Sequence, residues 1–69
     1  MSGPVYKQIE ITGTSHDSIE DAVKSALAKA SETVRNMRWM EVTDIRGNIQ
    51  DNLLNVWQVT IKVGFTLES

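Results

Sequence analysis

Apolar and polar residues alternate at the start of the chain. Over residues 5–12 Val5, Ile9 and Ile11 occupy odd positions with Lys7, and Tyr6, Gln8, Glu10 and Thr12 take the even ones. A two-residue period predicts a strand with one buried face. Gly13, Thr14 and Ser15 interrupt the pattern, and Ser15 can cap a helix whose first turns hold Asp17, Glu20 and Asp21, acids favoured by the positive end of a helix dipole. A helix start is expected within residues 15–18. Apolar side chains then recur at Ile19, Ala22, Val23, Ala26, Leu27, Ala30, Val34 and Met37, with Lys24, Lys29, Glu32 and Arg35 on the opposite face, which predicts one helix over residues 17–36. Its alanine-rich stripe lets it lie close against a sheet.

Beyond the helix, Met40 and Val42 fall on one face and Trp39, Glu41 and Thr43 on the other, but Ile45 and Ile49 have changed phase. A bulge near Thr43 and Asp44 accounts for the change, because one extra residue inverts the alternation. Arg46 and Gly47 mark a further bend. Trp57, Val59, Ile61, Val63, Phe65 and Leu67 alternate with Gln58, Thr60, Lys62, Gly64 and Thr66 in a third strand, and the turn residues within 50–55 join it to the second as a hairpin. The order β-α-β-β, with a right-handed crossover through the helix, gives an α+β fold in which the third strand lies between the other two, sheet order 1-3-2, all neighbours antiparallel. The helix covers one face. The other is left bare.

Composition narrows the chemistry. The chain has 69 residues, seven Lys plus Arg against nine Asp plus Glu, no Cys and one His. A core of this size supplies only ~3–5 kcal/mol, so small domains rely on disulfides, a metal or association. Without Cys there is no disulfide, redox thiol or thiolate cluster, and His16 alone makes no zinc site. Self-association is the expected support. A net charge of −2 argues against a nucleic-acid or anionic-membrane surface, each of which needs a basic patch. Neither a signal peptide nor an apolar run of roughly 18 residues is present, so a cytoplasmic protein is expected.

The bare face carries the candidate chemistry. If the Val59, Ile61 and Val63 row faces the helix, Gln58, Thr60 and Lys62 face away from it, and Trp39 and Glu41 join them as the alternates of Met40 and Val42. An indole presents a wide face for a flat heteroaromatic ring, and an amide can both accept and donate along a ring edge that alternates C=O and N–H, as a flavin edge does. The plainer roles are an oligomer contact or a position under the helix end for Trp39, and a cross-strand partner for Gln58.

The chain resembles the dodecins, small flavoproteins of bacteria and archaea. The resemblance rests on Tyr6-Lys7, Ile9-Glu10, Gly13-Thr14-Ser15, the alanine-rich helix, Trp39 with Glu41-Val42, Ile45-Arg46-Gly47, Gln58-Val59, Val63-Gly64-Phe65 and Leu67-Glu68. It runs along nearly the whole length and makes residues 1–69 a single domain. It implies a β-α-β-β protomer, twelve copies in a hollow shell, and flavins (FMN, riboflavin or FAD) bound as stacked pairs between symmetry-related tryptophans. By that resemblance Trp39 stacks on the isoalloxazine ring and Gln58 bonds to it. The family stores or sequesters flavin and quenches its excited state. One departure stands out: where many bacterial dodecins read Gly-Phe-Arg-Leu-Glu, this chain has Thr66 in place of the arginine. In relatives that arginine and the one matching Arg46 are placed to hold the charged end of FMN or coenzyme A, so Arg46 is left as a candidate cofactor contact, with Lys62 or Lys7 as other sources of charge. A salt bridge from Arg46 to Glu41 or Asp44 is its alternative role.

An enzyme needs a tuned acid or base, an activated nucleophile or a metal. His16 lies at the helix start, where exposure or local capping is its ordinary role. Glu10, Glu41 and Asp44 have no motif around them, and plain capping is the commoner use of Gly13-Thr14-Ser15. The expected function is therefore a flavin-binding homo-oligomer and not an enzyme. The alternatives are a coenzyme A-binding or ligand-free interaction module of the same shell, and a small flavin reductase.

Overall fold

A computed structural model describes residues 3–67. Met1, Ser2, Glu68 and Ser69 lie outside the described residues, and with them the Glu68 of the resemblance. The elements run β1 (Tyr6–Ser15), α1 (Ile19–Ala30), β2 (Met37–Gln50) and β3 (Leu53–Thr66), in the expected β-α-β-β order. The sheet is antiparallel with order β1-β3-β2.

Gly13 does not end β1. The strand continues through Ser15 because Gly13 is where α1 comes closest to the sheet: a Cβ there would collide with the Ala22 carbonyl oxygen and the Ala26 methyl. Small residues on both partners let the backbones meet, so the glycine belongs to the strand–helix contact. Ser18 caps α1, its Oγ accepting from Asp21 N at 3.0 Å. Ser15 Oγ supports the turn before it, accepting from Asp17 N (2.9 Å) and Ser18 N (3.3 Å) and donating to Asp21 Oδ2 (2.7 Å).

The helix is shorter than its apolar period, which continues to Met37. It ends at Ala30, where Ser31 N donates to the Leu27 carbonyl, Glu32 N donates to the Lys29 carbonyl, and Ser31 Oγ donates to Ala28 O at 2.7 Å. Serine and threonine there favour local backbone bonds over another helical turn. Asn36, with a left-handed φ of 61°, then turns the chain into β2.

The core consists of Ala22, Ala26, Val59, Ile61 and Val63, with Ile9, Ile11, Ile19, Val23, Leu27, Met37 and Met40 packed around it. The helix lies on β1 and β3. It does not extend over β2, so Val42, expected in the core, is 41% exposed and Ile45 is 48% exposed. The hairpin turn is tighter than residues 50–55. Gln50 pairs with Leu53, and Asp51 and Asn52 both have positive φ (54° and 63°), as a two-residue type I′ turn requires. Leu53, Leu54 and Ile49 therefore belong to strands, in an arm that continues past the last β1–β3 pair, Ser15 with Trp57.

Candidate functional site

Three bulges decide what the uncovered face presents. In the β2–β3 register, Met37 pairs with Phe65 but Trp39 with Gly64, so Arg38 is an extra residue; Val42 pairs with Ile61 but Asp44 with Thr60, so Thr43 is another. The second is the bulge expected near Thr43 and Asp44. The third lies on β3, where Asn55 is the extra residue between the Asn48–Val56 and Ile49–Leu54 pairs. Its carbonyl lies 3.1 Å from His16 Nδ1, so the histidine bridges the β1–α1 turn to the base of the hairpin arm.

The bulge at Arg38 lets Met37 pack on the core while Trp39 lies on the uncovered face. There the indole rests on Gly64: a Cβ on that glycine would fall within the ring system, against Cε2, Cζ2 and Cδ2. One indole face is thus occupied by Trp39's own cross-strand neighbour, and the residue remains 40% exposed. Tyr6 stands beside it, ring centroids 6.4 Å apart and planes inclined at 60°. Tyr6 pairs with Thr66, whose Oγ1 accepts from Arg38 Nε at 3.1 Å. Tyr6, Trp39, Gly64, Thr66 and Arg38 form one aromatic and cationic end of the face.

Further along, Lys62 stands between Glu10 and Glu41 in the register, and Thr12 and Thr60 share a 2.8 Å hydroxyl bond. Gln58 and Arg46 follow, directly opposite each other, with Arg46 Nε donating to Gln58 Oε1 at 3.0 Å. That bond fixes the amide's orientation and leaves Nε2 as its open donor. Arg46 makes no ion pair with Glu41 or Asp44 among the described residues. Trp39 and Gln58 thus share a face, but Gln58 lies six residues before Gly64 on β3, roughly 20 Å at ~3.3 Å per residue. The two are not neighbours within one chain.

Gly64 as the seat of the indole and Arg38 as a bulged residue are absent from the sequence reading. The first was visible only as an unexplained glycine in a clean strand, a known mark of close approach. Among the described residues no group of three or more His, Cys, Asp or Glu side chains is placed to hold a metal, and no helix is long and apolar enough to cross a membrane.

The dodecin family model matches residues 5–68. A dodecin of Thermus thermophilus is 46% identical over 66 residues, covering 96% of both chains. The structure of a dodecin from Streptomyces coelicolor superposes with a TM-score of 0.92 at 45% identity, over 100% of this chain and 99% of that one. One from Streptomyces davaonensis gives 0.92 at 38% identity, over 99% and 100%. With this topology and these matches along nearly its whole length, the chain belongs to the dodecin family.

Proposed function

We propose that this protein is a non-enzymatic flavin store: a cytoplasmic homo-oligomer, dodecameric by its family, that binds FMN or riboflavin and suppresses its excited state. The observation that carries the reading is the seating of Trp39. With one indole face on Gly64, the other is free for a single flat ring, the arrangement that a flavin pair sandwiched between two symmetry-related tryptophans needs. Stacking of this kind contributes ~0.5–1.5 kcal/mol beyond area burial.

Gln58 enters from a second copy. A ring stacked on Trp39 does not span the roughly 20 Å to Gln58 of the same chain, so a flavin touching both draws them from different protomers. Its open Nε2 donor, oriented by Arg46, suits a ring carbonyl. Assembly itself is supported by the apolar residues that one chain leaves uncovered: Val42 and Ile45 on β2, and Ile49, Leu53 and Leu54 on the hairpin arm. The exposed Val42 and Ile45 on β2, next to the core-packed Met40, are where a neighbouring copy would complete the core.

Quenching follows from contact, because electron transfer from an electron-rich indole to an excited flavin across a stacked interface outruns emission. Titrating flavin into wild type and Trp39→Phe, followed by flavin fluorescence and oligomer mass, tests this. The phenyl variant is expected to bind several-fold more weakly and to recover emission. Unchanged affinity and unchanged darkness in Trp39→Ala would remove the stacking assignment, and a colourless oligomer that quenches neither flavin would favour a coenzyme A-binding or ligand-free assembly.

A further inference from the structure

Arg38 is an exposed cation held in place beside the aromatic platform. As the extra residue of the first β2 bulge it departs from the strict alternation of the strand, and a bulge re-aims a side chain in this way. Its Nε donates to Thr66 Oγ1 at 3.1 Å, on the face that Thr66 shares with its cross-strand partner Tyr6 and with Gly64, the seat of Trp39. A guanidinium has five N–H donors in a planar fork. One is used on Thr66, and Arg38 takes part in no ion pair among the described residues. The terminal nitrogens are left for a ligand. The next cation on the same face, Lys62, stands between Glu10 and Glu41, so its field is largely offset.

We propose that Arg38, steadied by Thr66, binds the phosphate of a flavin nucleotide whose ring lies on Trp39, and so sets a preference for phosphorylated over unphosphorylated flavin. This rests on the flavin reading above and adds to it the ligand class and the residue that selects it. The chemistry fits a phosphate monoester: a fixed fork meets two phosphate oxygens in parallel, which an ammonium on a flexible stem does not. It also gives Thr66 a role. In a chain without the family arginine at that position, the threonine hydroxyl orients an arginine arriving from the neighbouring strand, and the positive charge reaches the same corner of the face from β2.

The test is a set of fluorescence titrations of FMN and riboflavin with the intact oligomer of wild type, Arg38→Gln, Arg38→Lys and Thr66→Val, at low and high salt. Removing a charge-assisted contact is expected to weaken FMN binding about tenfold in Arg38→Gln, with riboflavin, which lacks the phosphate, losing under about twofold. Arg38→Lys is expected to fall between, keeping the charge without the fork, and Thr66→Val to lose a smaller factor for FMN alone. The fall of FMN affinity with salt should be shallower in Arg38→Gln than in wild type. Equal losses for both flavins in Arg38→Gln, or FMN affinity and salt dependence unchanged by it, would overturn the proposal while leaving flavin binding intact. Binding of neither flavin to the wild-type protein would overturn the flavin reading and this one with it.

Discussion

The seat of Trp39 depends on an absent atom. Because a Cβ at Gly64 would enter the indole, Gly64→Ala is expected to lift Trp39 off the sheet without disturbing the paired backbone. Flavin affinity should fall about 2- to 10-fold, the loss of ~0.5–1.5 kcal/mol of ring stacking, with a changed indole emission spectrum and an unchanged oligomer mass. Wild-type affinity together with an unmoved indole would show that Gly64 is not its support. At this scale the sequence was legible wherever period two operates. Period two places Trp39 and Gln58 on the uncovered face, and the register puts both there. Distance was not legible. Alternation reports which side a residue takes and nothing about how far along the strand it lies, so the roughly 20 Å between the two emerges only from the register. The partners of polar side chains were hidden for a related reason. Arg46 had two acids nearby in sequence, yet it bonds to Gln58 because the register sets them opposite each other.

Among the elements, the helix is positioned by Gly13 as much as by its own alanines. Gly13→Ala is expected to destabilise the protein by ~1–3 kcal/mol, as overpacking does when neither backbone nor a methyl can give way. Urea unfolding at fixed protein concentration measures this, and a midpoint equal to wild type would mean that α1 lies further from β1 than the contacts with Ala22 and Ala26 indicate. The same glycine misleads in sequence, since Gly-Thr-Ser has the composition of a break while the tertiary contact keeps it in the strand. The apolar period runs past the helix end, because Val34 and Met37 continue it after the hydrogen bonding has changed at Ser31. Amphipathic spacing reports which residues seek the core, and Met37 does so from a strand. The bulge at Thr43 was legible, because it leaves a phase change between Val42 and Ile45. The bulge at Arg38 falls where helix period gives way to strand period, so it leaves no such trace.

For the whole molecule, thinness is the governing property. The Cα positions span 56 × 21 × 13 Å, and the five buried apolar residues of the core among the described residues lie in the one layer between α1 and the sheet. An isolated slab of this shape exposes Val42, Ile45, Ile49, Leu53 and Leu54, more apolar surface than a stable small monomer tends to keep. Association therefore belongs to the fold's energetics, and the proposed flavin site would need it as well, since it would draw Trp39 and Gln58 from different copies. The measurement to make first is the mass of the purified protein by light scattering, followed by titration of FMN into that same sample while flavin fluorescence is recorded. An oligomer whose quenching saturates near one flavin per chain is the expected result. A monomer, or an oligomer in which FMN stays free and fully emissive, would contradict it.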